Sequence, residues 1–262
     1  MKLLNTTLLS VILLFTIIQS AQAHFGMIIP AEPVVTPEKR TIQLKISFSH
    51  PFEETGMDLM KPEQFYVVKD REKTDLTTNL HEARIMDHLG WQAAFPVKRP
   101  GVYHFVMEPF PYWEPTEDIF IVHYTKVIIP AFGSEDGWDQ PLGLATEIVP
   151  LLRPFGNYAG NTFTGQVLLA DKPVPGAGVE VELYNQNQQV KAASPYHITQ
   201  VIKADSTGVF SFTCPVSGWW GFSALNIADY TLKNPEGEEK KVELGAVLWT
   251  YMDSYVSQPA SP

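Results

Sequence analysis

Histidine is the residue type in this sequence whose distribution points most directly to chemistry. Seven histidines are present, and six of them lie before residue 124. A neutral imidazole binds divalent transition metals through either ring nitrogen. No two histidines have the His-x-x-x-His spacing that a helix would place on one face. A metal site built from these residues would therefore have to be assembled from separate segments of the chain.

His24 is distinguished by what precedes it. Lys2, an apolar run over residues 8–18 and the small residues of Ala21-Gln22-Ala23 form the pattern of a secretory signal peptide with an A-x-A cleavage site. Cleavage after Ala23 would remove residues 1–23 and leave His24 with a free α-amine. That amine and the imidazole could close a chelate on one metal ion, because both nitrogens lose their protons readily near neutral pH.

The position of the cut determines which chelate can form. Cleavage one residue earlier would leave Ala23-His24 at the N-terminus, and cleavage two residues earlier would leave Gln22-Ala23-His24. A histidine in third position suits square-planar nickel or copper, and the two nitrogens of an N-terminal histidine also suit late first-row divalent ions. The alternative to a metal-binding role is that some residue must follow the cleavage site, and in this chain it is a histidine.

Two further candidate ligands lie on predicted strands. Residues 41–50 alternate polar and apolar side chains, which is typical of a half-buried strand in an antiparallel sheet. His50 continues the apolar side at the end of this strand, so we expect it to point inward at the rim of a core. His123 lies within a long, mostly apolar strand over residues 119–129, where a buried imidazole needs a partner.

His104 lies in the predicted strand 102–107 and is a weaker candidate. For His50 the alternative to a metal ligand is a strand-end histidine that bonds a backbone carbonyl group. The predicted ligand set is His24, His50 and His123, with His104 in reserve.

Strand signals dominate the whole chain. Short alternating runs separated by proline and glycine turns predict an all-β protein of two immunoglobulin-like β-sandwich domains. We expect an N-terminal metal-binding sandwich over residues 24–157 and a second sandwich over residues 158–262. The motifs at 172–179 and 204–212 resemble the carboxypeptidase regulatory-like or transthyretin-like sandwich. The single cysteine, Cys214, excludes an internal disulfide and is expected to be buried.

Charge and motif content exclude several classes of function. The net charge of −10 argues against nucleic acid as a partner. No run after the leader approaches the ~18 apolar residues of a membrane span, so we expect no retained transmembrane segment and an exported, periplasmic protein. No nucleophile elbow or glycosidase-type carboxylate pair is present, and we therefore expect no enzymatic activity.

A series of short motifs, in this order, resembles the domain of unknown function 4198 family. The motifs are Ala23-His24-Phe25, Phe48-Ser49-His50-Pro51-Phe52-Glu53, Arg99-Pro100-Gly101-Val102-Tyr103, His123-Tyr124-Thr125-Lys126-Val127, Gly137-Trp138 and Glu147-Ile148-Val149-Pro150-Leu151. The resemblance spans essentially the whole mature chain. Members of this family are exported bacterial proteins, often associated with nickel or cobalt uptake systems of the energy-coupling-factor type.

The resemblance implies a periplasmic accessory component that binds a divalent metal and presents it to the membrane subunits of an uptake transporter. The recurring mature N-terminal histidine of the family falls on His24. Its His-Pro-Phe motif falls on His50-Pro51-Phe52, and its His-Tyr-Thr-Lys motif begins at His123.

Three hypotheses follow from the sequence. The first is a non-enzymatic periplasmic protein that binds nickel, or alternatively cobalt. The second is a copper carrier or an N-terminal-histidine copper oxidase, which methionines such as Met27, Met57 and Met60 leave open. The third is a structural or adhesive sandwich that binds glycan or protein and is indifferent to the His24→Ala substitution.

Overall fold

The computed structural model describes residues 23–256 of the chain. The predicted leader therefore lies outside the described residues, except for its last residue, Ala23. The described part is all-β, as the sequence predicts, and its only helical segments are short 3-10 turns at Thr77–Asn79, Gln186–Gln188 and Pro195–His197. Between residues 23 and 256 no helix has the length and apolar character needed to cross a bilayer.

Nineteen strands make up the described part of the chain. Those before residue 132 are β1 (Phe25–Pro30), β2 (Thr41–His50), β3 (Thr55–Met57), β4 (Gln64–Lys69), β5 (Glu72–Asp75), β6 (His81–Ile85), β7 (His88–Pro96), β8 (Gly101–Glu108), β9 (Tyr112–Glu114) and β10 (Ile119–Ala131). The later strands are β11 (Thr146–Pro150), β12 (Asn157–Tyr158), β13 (Thr162–Leu169), β14 (Lys172–Pro173), β15 (Gly178–Leu183), β16 (Gln200–Lys203), β17 (Val209–Thr213), β18 (Gly218–Lys233) and β19 (Glu239–Asp253).

A ten-stranded sheet forms the centre of the molecule. Its strands run in the order β16-β15-β18-β19-β10-β8-β4-β5, with β12 and β9 paired at its margins. β10 and β19 pair in parallel from Phe120–Val242 to Val127–Trp249. This pairing joins early and late parts of the chain, so the predicted boundary near Asn157 divides the sequence but not the central sheet.

Two smaller sheets complete two sandwiches. The first contains β1, β2, β7, β6 and β3, and the second contains β11, β13, β14 and β17. Val247 and Trp249 of β19 belong to the core beneath the five-stranded sheet, whereas Ala246 and Leu248 belong to the core that includes the four-stranded sheet. Because neighbouring residues of a strand point to opposite faces, the two cores lie on opposite faces of the central sheet. Cys214 is buried in the second core.

Strand β1 fixes the position of His24. A Cβ atom at Gly26 would lie 2.1 Å from Thr125 Oγ1, so only glycine allows β1 to approach β10 this closely. The indole Nε1 of Trp249 donates a hydrogen bond of 2.8 Å to the Gly26 carbonyl oxygen. Antiparallel pairing of β1 with β2, which aligns Phe25 with Ser49, then brings the start of β1 to the end of β2.

Candidate metal centre

His24 and His50 form the closest pair of candidate ligands. Their ring centroids are 4.7 Å apart, and the rings are inclined by 52°. The pairing of β1 with β2 accounts for this proximity, since each histidine lies next to the aligned pair of Phe25 and Ser49. The sequence predicts that His50 points inward at the end of its strand, and His50 is buried there.

The His24 imidazole is neutral at physiological pH. Burial, together with the neighbouring His50 and His123, lowers its pKa to about 4, and Glu114 and Glu243 act in the opposite direction. Nε2 of His24 lies 3.5 Å from Oε2 of Glu114. Because the imidazole is uncharged, this contact is not an ion pair at neutral pH. A neutral imidazole can bind a metal ion without first losing a proton.

His50 is buried, and its Nδ1 atom lies 2.9 Å from the carbonyl oxygen of Ala23. A carbonyl oxygen only accepts hydrogen bonds, so Nδ1 of His50 carries a proton in this arrangement. The alternative role considered for this residue, a strand-end histidine bonded to a carbonyl group, thus describes its contact in this structure.

His123 and His24 both contact the ring of Phe48. The centroid of Phe48 is 5.6 Å from that of His123 and 5.5 Å from that of His24. The backbone N–H of Gly26 donates to Nδ1 of His123 at 3.3 Å, so the proton of this imidazole is on Nε2. A metal ion on Nε2 would require this proton to move to Nδ1. A protonated Nδ1 cannot accept a hydrogen bond, so the contact with the Gly26 N–H would be lost.

The Nε2 atom of His123 is buried and has no hydrogen-bond partner in the described structure. Its nearest carboxylate oxygen is Oε1 of Glu243, at 3.8 Å, beyond hydrogen-bond distance. A Cβ atom at Gly245 would lie 2.3 Å from Cδ2 of His123, so glycine at this position leaves room for the ring. A buried imidazole nitrogen without a partner is rare in proteins and marks a place where a ligand could bind.

Two carboxylates that the sequence did not indicate accompany the histidines. Glu114 comes from β9 and Glu243 from β19. A third, Glu180, is mostly buried nearby, and burial together with Glu243 and Glu117 raises its pKa to about 7. Alternation along a strand shows which of its residues share a face, but both faces of the central sheet are covered by a core. Pattern alone therefore could not distinguish an inward glutamate from an exposed one.

His104 lies apart from the other three candidates. Its Nε2 donates to the Gly137 carbonyl oxygen at 2.9 Å, and burial, followed by the nearby Lys126, lowers its pKa to about 4. The carboxylate of Glu147 pairs with Lys126 in the same region. The reserve candidate is thus part of a second polar cluster, on the other face of β10 from His123.

We call His24, His50 and His123 with Glu114 and Glu243 the histidine cluster. Its members lie near one another but do not converge on one point. Within residues 23–256 no three His, Cys, Asp or Glu side chains already have the arrangement of ligands to one ion. Its imidazole and carboxylate donors suit a divalent first-row metal rather than a soft monovalent one. Bringing them onto one ion requires side-chain movement or a change at the N-terminus.

Comparison with known proteins gives one family match. The family model described as Domain of unknown function (DUF4198) matches residues 21–228. No curated protein sequence matches the chain.

Solved structures similar to the chain include the D0-D1 domain of intimin, with 12% identity and a TM-score of 0.23, covering 86% of this chain and 99% of that one. A two-domain fibronectin type III segment of chicken tenascin has 11% identity and a TM-score of 0.22, covering 87% of this chain and 100% of that one. Trypsin-activated alpha-2-macroglobulin from Escherichia coli has 9% identity and a TM-score of 0.27, covering 87% of this chain but 16% of that one.

Proposed function

This chain belongs to the DUF4198 family, and we propose that it is an exported, non-enzymatic protein that binds a divalent transition metal in the periplasm. Nickel is the preferred ion and cobalt the alternative. The bound ion is cargo that the protein presents to the membrane subunits of an uptake transporter. The role of carrier follows from the family resemblance, and metal binding follows from the residues.

The pairing of His24 with His50 is the observation on which this proposal rests. The two rings are 4.7 Å apart, and the His24 imidazole is neutral at the pH where the protein would work. Removal of the leader after Ala23 would add the α-amine of His24 to these two imidazoles. Glu114 supplies an oxygen donor beside His24, and His123 joins the site if its contact with Gly26 is released.

Nitrogen and oxygen donors in this combination suit nickel and cobalt. The other four donors of the histidine cluster come from four different strands, β2, β9, β10 and β19, and His24 directly precedes a fifth, β1. A site spread over so many strands is held by the fold rather than by a local motif, which suits reversible binding of a cargo ion.

Titration calorimetry of the chain that begins at His24, with nickel, cobalt, copper and zinc in turn, tests the proposal. We expect one-to-one binding that is tighter for nickel than for cobalt and that is weakened about 100-fold on substituting His24 by Ala. The exposed His197 provides a matched control, since His197→Ala should leave binding unchanged. Absence of binding to any of the four ions would refute the metal proposal and favour a structural or adhesive sandwich.

A copper protein is the second candidate, and one observation favours it. Met60 and Met107 line an apolar cavity of about 260 Å³ together with His123 and Phe48. Thioether sulfur is a soft donor that suits copper(I). Copper binding with oxygen-dependent turnover in the presence of a reductant would support an N-terminal-histidine oxidase, whereas copper binding without turnover would support a carrier.

A further inference from the structure

The contact between Ala23 and His50 has a consequence for when a metal can bind. Nδ1 of His50 donates to the Ala23 carbonyl oxygen, 2.9 Å away. A protonated ring nitrogen has no lone pair for a metal ion. In the uncleaved chain, the nitrogen of His50 that faces the N-terminus is therefore blocked, and the backbone nitrogen of His24 is an amide instead of an amine.

The same carbonyl carbon is bonded to the backbone nitrogen of His24. The oxygen and nitrogen of one peptide group are about 2.3 Å apart, given C=O and C–N bonds of about 1.23 and 1.33 Å. The nitrogen that becomes the α-amine thus lies within roughly 5 Å of His50 Nδ1 in the uncleaved chain. Removing the carbonyl group would leave these two nitrogens facing each other.

We propose that the Ala23 carbonyl group blocks the metal site in the uncleaved chain, and that hydrolysis of the Ala23–His24 bond creates the site by exposing the His24 amine to a freed His50 Nδ1. This inference rests on the proposed function. The co-reactants are water and a leader-removing protease. Water adds its oxygen to the Ala23 carbonyl carbon, the C–N bond breaks, and a proton goes to the His24 nitrogen. The leader departs with a new carboxylate on Ala23.

Burial indicates when this cleavage must occur. Ala23 is 4% exposed and His50 is 6% exposed in the folded chain. A protease binds an extended segment, so a buried peptide bond is cleaved only before folding is complete or during local unfolding. A molecule that folds with its leader attached keeps the Ala23–His50 contact, so it has neither a free His50 Nδ1 nor a His24 amine. The contact thus restricts binding through these two nitrogens to chains whose leader has been removed.

Two forms of the protein, each otherwise identical, test the inference. One begins at His24 with a free amine, and the other carries an acetyl group on the His24 nitrogen, which restores a carbonyl group in the place of Ala23 without adding an amine. We expect the acetylated form to bind nickel about 100-fold more weakly, because it lacks two of the nitrogen donors. Equal affinity of the two forms would overturn the inference and leave the proposed function intact.

Nitrogen NMR of the His50 ring, recorded without metal, gives an independent readout. We expect Nδ1 to be protonated in the acetylated form and to lose this fixed protonation in the free-amine form. Finding the same protonation state in both would overturn the inference whatever the nickel result. Failure of both forms to bind nickel would count against the proposed function, and the NMR comparison would still decide whether the carbonyl group holds His50.

Discussion

The histidine cluster and the Lys126–Glu147 pair lie on opposite faces of β10, and they differ in how closely their carboxylates are held. On one face is the histidine cluster. On the other, Nζ of Lys126 donates to Oε2 of Glu147 at 2.7 Å, and both side chains are 1% exposed. The backbone N–H groups of Leu142 and Gly143 each donate to Oε1 of Glu147 at 3.0 Å. The carboxylate of the Lys126–Glu147 pair is thus satisfied by the protein itself.

The histidine cluster has no comparable closure. Its contacts between imidazole and carboxylate measure 3.5 and 3.8 Å. Nε2 of His123 has no hydrogen-bond partner among the described residues, and the same is true of Nδ1 of His104 on the other face of β10. A buried polar group without a partner costs free energy, so a protein tolerates it where a ligand or a function compensates. The Lys126–Glu147 pair attaches the segment before β11 to β10. Under the proposed function, an ion would bind the donors of the histidine cluster.

The largest expected effect comes from breaking the Lys126–Glu147 pair. Substituting Lys126 by Met leaves the Glu147 carboxylate buried without its cation, and we expect the free energy of unfolding to fall by about 3 to 5 kcal/mol. Nickel affinity of the folded protein should stay unchanged, because Lys126 points away from His123. Urea unfolding and calorimetry on the same samples check both statements. A loss of nickel affinity in the folded variant would show that the two clusters are coupled.

The double variant Lys126→Met with Glu147→Leu is the control for this substitution. Replacing both members of a buried pair by apolar residues removes the unpaired charge, so much of the lost stability should return. If the double variant is as unstable as the single one, packing rather than charge accounts for the loss.

A third buried carboxylate, that of Glu182, has hydrogen-bond partners but no cation beside it. It provides a pH-dependent test of stability. Glu182 accepts a hydrogen bond from the Phe52 backbone N–H at 3.1 Å and contacts the Thr199 hydroxyl group, yet burial raises its pKa to about 8. The folded state therefore holds this proton at pH values where the unfolded chain has released it. This contribution to stability is complete below about pH 4.5 and is lost as the pH rises to 8.

Substituting Glu182 by Gln should remove that loss. Between pH 5 and pH 8 we expect the unfolding free energy of the wild-type protein to fall by about 3 kcal/mol relative to the variant. His24 and His104, whose pKa values are lowered to about 4, change stability in the opposite direction, but their effect is complete by about pH 6.5. Parallel stability profiles for the two proteins above pH 6.5 would contradict the raised pKa of Glu182.

Substitutions of single histidines rank the members of the open cluster. We expect His24→Ala and His50→Ala each to weaken nickel binding about 100-fold in the chain that begins at His24, since each removes a donor of the closest pair. His104→Ala should not change nickel affinity, because its Nε2 is committed to Gly137 on the other face of β10. Calorimetry measures the nickel affinity of all three variants. A large effect of His104→Ala would place the metal site on the face of β10 opposite to His123.

The sequence predicted the all-β fold and the inward direction of His50 because both depend on local signals. Alternation in residues 41–50 assigns His50 to the inward side, and the leader pattern singles out His24. Glu243 and Glu147 could not be assigned in this way. Each meets its partner through pairing between distant segments, and on a sheet covered on both faces alternation does not separate buried from exposed positions. The parallel pairing of β10 with β19 has no local signal.

The smallest expected effect on nickel affinity comes from substituting His123, and it tests whether this residue belongs to the metal site. His123→Gln keeps an acceptor for the Gly26 N–H, and we expect it to weaken nickel binding about tenfold, less than loss of His24 or His50, because His123 must first give up that contact.

Gly245→Ala is the matched variant, because its added Cβ would lie 2.3 Å from His123 Cδ2 and force the ring to move without removing it. If both substitutions weaken binding, the position of the His123 ring matters to the ion, and the open cluster includes all three histidines. If neither does, the unpartnered Nε2 of His123 serves something other than the nickel site, and the site narrows to His24, His50 and the carboxylate of Glu114.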